Sequence, residues 1–156
     1  MRTLAELRAE VEEWLKPGAG GHRCRVCRQR VQLYQRKLNS GMARSLVKAF
    51  VYDRDVAHGE YFHFREAKLQ QNQEYAKLEY WGLLERQFRG TTEVRGQWRI
   101  TQRGRQFVRR RIEVPRWAWC YNNHCYGLSD EMTTLRQALG DRFDLEELLA
   151  SVPREG

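Results

Sequence analysis

The stretch Leu78-Glu79-Tyr80-Trp81-Gly82-Leu83-Leu84-Glu85-Arg86, with Gln97-Trp98-Arg99-Ile100-Thr101-Gln102-Arg103-Gly104 after it, permits few structures. Leu78, Trp81 and Leu84 or Glu85 recur every three to four residues, which predicts a helix burying one face until Gly82 lets the backbone turn out. Gln87-Phe88-Arg89 and Gln97-Trp98-Arg99-Ile100 alternate polar and apolar, as half-buried strands do. Gly90 and Gly96 bracket the polar connection between them. Thr101 is placed to cap a following helix. The predicted order is helix, strand, loop, returning strand, helix.

This helix, the Gly82-Leu83-Leu84-Glu85-Arg86 junction, the hairpin and Trp98-Arg99-Ile100-Thr101-x-x-Gly104 together resemble the winged-helix half of MarR-like and PadR-like transcription regulators over roughly residues 40 to 110. The resemblance implies that the helix before the wing reads DNA and that the wing touches the backbone or minor groove. On this chain the helical stretch from Gln70 to Trp81 offers Gln71, Asn72, Gln73, Lys77 and Tyr80 to hydrogen-bond bases. Arg89, Arg95 and Arg99 flank the wing tip, and Arg103 and Arg105 at the next helix start are placed to hold phosphates. Glu74 and Glu79 weigh against this, since they leave the reading helix with a net charge of −1. Phosphate neutralisation supplies much of the affinity of major-groove readers, which are normally basic. The stretch from Cys24 to the C-terminus also resembles small uncharacterised proteins of phages and prophages, which supplies a setting but no activity.

The net charge of +8 is unevenly distributed. Residues 17–50 hold eight Lys/Arg and no Asp/Glu, and residues 90–116 hold eight against two. Residues 117–156 sum to −4. Two basic blocks suggest a surface facing a polyanion, against the plainer reading of a solvated arginine-rich face. A length of 156 residues with 41% apolar content suffices for one domain with a real core. No apolar run approaches the ~18 residues of a membrane span, and Met1-Arg2-Thr3-Leu4-Ala5-Glu6 lacks the apolar core of a signal peptide. The expected location is the cytoplasm.

Before the central stretch, Thr3-Leu4-Ala5-Glu6 is a capping box, and Leu4, Leu7, Val11, Trp14 and Leu15 form one stripe of an amphipathic helix over residues 1–16. That stripe docks on the core or on a partner, including a second copy of the chain. Pro17-Gly18-Ala19-Gly20-Gly21 ends it. Residues 22–37 carry Cys24-x-x-Cys27 and an alternating run, Val31 to Arg36, that predicts a strand. Asn39 or Ser40 starts a helix whose inner face is Met42, Leu46, Val47, Phe50 and Val51. Asp53 to Glu60 reads as a loop, and Arg65 to Gln71 as a second short helix. Residues 39–112 thus make the winged-helix core, closed by a helix from Gln102 to Arg111. Residues 113–156 supply two strands around Asn122-Asn123, a pair suited to the positive φ of a tight turn. A helix capped by Ser129 and running to Leu139 follows, then a short one opened by Asp144 to Glu147.

A two-residue turn at Asn122-Asn123 sets Cys120 opposite Cys125, with Cβ atoms about 5 Å apart. Those two thiolates and Cys24 and Cys27 can share one tetrahedral zinc. Zinc knuckles usually place glycine after the second cysteine, where φ is positive, and here Arg28 stands there. His22, His58, His63 and His124 are alternative ligands. Unrelated buried thiols and a redox Cys-x-x-Cys remain as other readings. Enzyme signatures are missing: no phosphate-cradling glycine loop, no His-Glu-x-x-His and no nucleophile elbow. Asp53, Asp55, His58, Glu60 and His63 read as a chance polar grouping.

The sequence therefore predicts an α+β single domain over 1–156: a winged helix-turn-helix core with an added N-terminal helix, a Cys-x-x-Cys knuckle and a C-terminal β-hairpin plus helices. The expected function is non-enzymatic binding of duplex DNA in bacterial or phage transcription regulation, with one structural zinc. The alternative is a protein-interaction adaptor that uses the same scaffold without DNA.

Overall fold

The computed structural model describes residues 3–15, 22–23, 28 and 30–150. In chain order they form helix α1 (Leu4–Trp14), strands β1 (His22–Arg23), β2 (Arg30–Val31) and β3 (Tyr34–Lys37), helix α2 (Ser40–Tyr52), strands β4 (Phe62–His63), β5 (Leu84–Arg89) and β6 (Thr92–Ile100), helix α3 (Gln102–Val108), strands β7 (Val114–Pro115), β8 (Trp117–Tyr121), β9 (His124–Leu128) and β10 (Met132–Thr133), and helices α4 (Leu135–Leu139) and α5 (Leu145–Ala150). The protein is a mixture of helices and small sheets. Among the described residues no helix is long and apolar enough to cross a membrane. The chain divides into two compact units, Met1–Lys37 with Pro115–Glu131 and Leu38–Val114 with Met132–Gly156. Residues 113–156, contiguous in sequence, contribute their hairpin to the first unit and their helices to the second.

In the first unit the capping box of α1 forms as predicted. Thr3 Oγ1 accepts from Glu6 N at 3.2 Å, and Glu6 Oε2 accepts from Thr3 N at 2.8 Å. The apolar stripe behind it is covered only in part: Leu7, Val11, Trp14 and Leu15 are half-buried, no residue of α1 is fully buried, and Leu4 is 63% exposed. Trp14 stacks on His22 with ring centroids 4.9 Å apart. The single strand expected from Val31 to Arg36 is divided because its halves pair with different partners. β2 is antiparallel to β1, whereas β3 runs antiparallel to β8. Asn122 and Asn123 take φ of 50° and 62°, so β8 and β9 close through a two-residue turn with Cys120 facing Cys125. Val31, Leu33, Ala118 and Cys120 are buried. Ser129 does not cap a helix. Its hydroxyl accepts from Trp117 N at 3.0 Å and donates to Glu131 O at 2.9 Å, and the helix starts later, at a Thr134/Gln137 capping box.

The second unit is assembled on α2. Asn39 Oδ1 accepts from Met42 N at 2.9 Å, and Met42, Leu46, Val47, Phe50 and Val51 are buried as the spacing predicts. Each such burial contributes about 1.5–3 kcal/mol. α2 packs against α3, α4, α5, β6 and a 3₁₀ helix, Gln73–Trp81. Asp53 to Glu60 is not simply a loop, because helical winding continues as a π turn, Asp53–Ala57, closed by His58 at φ 48°. Nor is Arg65 to Gln71 a helix. Lys68 sits at φ 59°, a left-handed conformation that interrupts helical winding, and only Leu69–Gln71 forms a 3₁₀ turn. At the C-terminal end Asp144 Oδ1 accepts from the backbone N–H groups of Glu146 and Glu147 at the start of α5.

The sheet of this unit has the order β4-β6-β5, all antiparallel. Its long hairpin turns at Gly90-Thr91, with Arg89 paired to Thr92, so the connection does not extend from Gly90 to Gly96. Gly96 lies inside β6 at φ 77°, where the register against β5 shifts. A Cβ there would lie 2.7 Å from His63 Nε2, so both conformation and space demand glycine. α3 is capped by Thr101, whose Oγ1 accepts from Gly104 N at 2.9 Å, and it stops at Val108 because Arg110 turns to φ 61°.

Gly104 explains its own place in the motif Trp98-x-x-Thr101-x-x-Gly104. A Cβ there would sit 2.3 Å from the Leu83 carbonyl oxygen and 2.7 Å from Ile100 Cγ1, so α3 approaches the backbone closely. Gly104→Ala is expected to cost about 1–3 kcal/mol in urea unfolding, because backbone must move to relieve the overlap. Gly90 has open space around it and a φ that asparagine tolerates, so Gly90→Asn should stay within about 0.5 kcal/mol. Equal midpoints for the Gly104 variant and the wild type would contradict this packing.

Candidate nucleic-acid interface

The helix expected to read bases, Gln73–Trp81, starts at Asn72, whose Oδ1 accepts from Glu74 N at 2.9 Å, and ends at Gly82 with φ 72°. It is a 3₁₀ helix, so residues three apart stack in rows. One row is Tyr75, Leu78 and Trp81, of which Leu78 and Trp81 are buried. Leu84 belongs to β5 instead. The candidate readers do not all share a row. Lys77 and Tyr80 stack with Glu74, Gln73 stacks with Ala76 and Glu79, and Gln71 lies in the preceding turn, where its side chain accepts a hydrogen bond from Lys48 Nζ. Gln73 is exposed, and Lys77 Nζ lies 3.5 Å from Glu74 Oε1.

The acids that count against nucleic acid are engaged within the unit. Glu74 Oε2 accepts from Asn39 Nδ2 at 2.7 Å, and Glu79 Oε2 accepts from Arg86 Nε at 2.9 Å. Arg86 also reaches Glu93 at 3.2 Å and lies over the Trp98 ring, 5.1 Å from its centroid. Burial works against the Arg86 charge, yet the two carboxylates outweigh it and raise its pKa. Sequence reasoning misses Arg86, because a pair seven residues apart across a turn follows no helical or strand spacing.

The five candidate arginines separate into two groups. Arg89, the last residue of β5, and Arg95, in the tip-ward half of β6, are exposed and make no ion pair or hydrogen bond among the described residues. Arg103 is also exposed, although its Nε donates to the Trp81 carbonyl at 3.0 Å. Arg99 and Arg105 are placed otherwise than expected. Arg99 lies across from Glu85 near the base of the hairpin, donates to it at 2.7 Å and covers the Tyr61 ring at 4.3 Å. The Glu85 hydrogen bond is the main cause that raises its pKa. Arg105 grips Asp53 through Nε at 3.0 Å and Nη2 at 3.2 Å. Their side chains are only 21% and 10% exposed, so this pair joins the π turn to α3 and engages the Arg105 guanidinium within the fold.

Of the cysteines, Cys120 is buried and Cys125 half-buried, with Cys125 Sγ 3.4 Å from the Gly127 carbonyl. Cys24 and Cys27 lie outside the described residues. Among the described residues no three His, Cys, Asp or Glu side chains converge as a metal site. The polar grouping near the π turn has other roles. Asp53 holds Arg105 and the Gly59 N–H, Asp55 pairs with Arg54 at 2.7 Å, and His63 Nδ1 accepts from Arg65 N at 3.2 Å.

Asp53→Asn leaves a nearly buried guanidinium without its counter-charge, and removal of one partner from such a pair costs about 3 kcal/mol. Chemical unfolding of that variant is expected to register the difference. A variant as stable as the wild type would show the pair to be incidental. The chain matches no protein-family model, no curated protein and no solved structure.

Proposed function

We propose that this chain is a non-enzymatic, winged-helix protein that binds duplex DNA and regulates transcription in a bacterial or phage setting. The observation that carries the reading is the division of arginines along the hairpin. Arg86 and Arg99 are neutralised by carboxylates of the fold, whereas Arg89 and Arg95 toward the tip have no such partner among the described residues. Unpartnered guanidinium groups on a projecting two-stranded ribbon suit phosphates or a minor groove. The element order supports it: α2, β4, the turn before Leu69–Gln71, the helix Gln73–Trp81, then the β5–β6 hairpin. The internal pairing of Glu74 and Glu79 removes much of the electrostatic objection to a helix of net negative charge. The adaptor reading, or pairing of two copies through α1, draws instead on the incompletely buried stripe of that helix.

DNA affinity is expected to fall with salt at a log-log slope of about 0.9 per phosphate neutralised. Arg89→Ala and Arg95→Ala should weaken all duplexes alike. Gln73→Ala or Lys77→Ala should narrow the gap between preferred and random duplexes, each by about 1–3 kcal/mol if its side chain bonds well to a base. Fluorescence titration at several salt concentrations reads both. Absence of binding to any duplex would move the assignment to the adaptor.

We infer also that one structural zinc is held by Cys24, Cys27, Cys120 and Cys125. Four observations support it. The chain on both sides of Cys24-x-x-Cys27 belongs to the compact unit that holds the β8–β9 hairpin, Cys120 faces Cys125 across that turn, and Arg28 takes φ 60°, the left-handed backbone that a knuckle requires after its second cysteine. Pairing of His22 with Val31 and of Arg23 with Arg30 brackets the Cys24-x-x-Cys27 sequence. Purified protein is expected to carry close to one zinc per chain by elemental analysis, and chelation should lower its thermal stability. Metal-free protein of undiminished stability would refute the site.

A further inference from the structure

The second unit holds a group of cations, on α2 and the turn beside it, that the wing does not account for. Arg44 and Lys48 stand four residues apart on α2 and so rise from the same face of the helix. α2 packs against the turn Leu69–Gln71, where Lys48 Nζ donates to the Gln71 side chain, and Lys68 immediately precedes that turn, exposed and at φ 59°. The Arg44 guanidinium lies over the Phe143 ring, 4.9 Å from its centroid, and its Nε is buried with no hydrogen-bond partner. Among the described residues no carboxylate pairs with any of the three cations. Burial is the main cause that pushes the Lys48 pKa down to about 8, and Arg44 and Lys68 add to it.

We propose that Arg44, Lys48 and Lys68 form a phosphate-binding site, occupied by a backbone phosphate when the protein is on DNA. Three positive groups gathered without a counter-charge repel one another, and a polyvalent anion reverses the sign of that interaction. Phosphate suits the donor set. A guanidinium presents paired N–H donors, two ammonium groups add point charges, and phosphate has acceptor oxygens for all of them. The site also gives Gln71 a role: Lys48 holds it beside the phosphate, so a side chain expected to touch a base is positioned through α2. The DNA-bound part rests on the function proposed above, whereas the anion site itself does not.

The test uses the full chain with lysine side chains labelled for NMR. Inorganic phosphate, added at constant ionic strength against chloride, is expected to shift the Lys48 resonance saturably and to raise its titration midpoint from about 8. Lys68→Gln should weaken that response several-fold, while Arg95→Ala leaves it intact. In the second arm, Lys48→Gln and Lys68→Gln are each expected to lower the salt slope of duplex binding by about 0.9, the value for one phosphate contact. No saturable response to phosphate overturns the site, whatever DNA does. A phosphate response with no duplex binding keeps the site, assigns it to a free phosphorylated compound and sinks the DNA reading. Duplex binding with unchanged slopes in both variants overturns the DNA-backbone assignment.

Discussion

The apolar face of α2 is the surface on which the second unit depends. Its buried side chains, Met42, Leu46, Val47, Phe50 and Val51, lie on the helix that meets three other helices, the 3₁₀ segment and β6. Burial of those side chains is worth several kcal/mol in total, more than any ion pair in the unit. Two consequences follow. The hairpin is anchored at its base and free at its tip, and Arg44 and Lys48, on α2 but outside its core stripe, are left to face other chemistry.

Charge pairing then decides which basic residues remain available. Arg105 joins α3 to the π turn through Asp53, and Arg99 is held by Glu85 at the hairpin base. Arg86 is shared between Glu79 and Glu93. These pairs offset the charges of Glu79, Glu85 and Glu93 within the fold. Arg89, Arg95 and the Arg44, Lys48, Lys68 group are among the cations of this unit that no carboxylate engages among the described residues, alongside the partly engaged Arg103. A basic composition alone does not make that distinction, since Arg95 and Arg105 are equivalent by count.

Much of the local structure is legible in the sequence because it follows from spacing. The Thr3 box, the Asn39 cap, the inner face of α2, the stop at Gly82, the cap at Thr101 and the Asn122-Asn123 turn each rest on residues within a few positions of one another. What is not legible depends on partners distant in sequence. Asp53 and Arg105 are 52 residues apart, and the division of the Val31–Arg36 run reflects pairing with β1 on one side and β8 on the other. Gly96 reads as a loop boundary because a bulge glycine and a turn glycine look alike in sequence, and only the His63 ring beside it distinguishes them. The π turn and the 3₁₀ helix escape for a similar reason. Apolar residues three or four apart do not reveal which winding the backbone adopts.

The division of the hairpin arginines proposed above sets Arg86 and Arg99 to hold the fold and Arg89 and Arg95 to meet DNA. It is tested most directly by measuring the salt slope of duplex binding and the unfolding free energy together for Arg86→Gln, Arg99→Gln, Arg89→Gln and Arg95→Gln. The predicted result is that Arg89→Gln and Arg95→Gln lower the slope by about 0.9 each at unchanged stability. Arg86→Gln and Arg99→Gln should instead lower stability and leave the slope alone. Four variants with the same reduced slope, or reductions confined to Arg86 and Arg99, would contradict it.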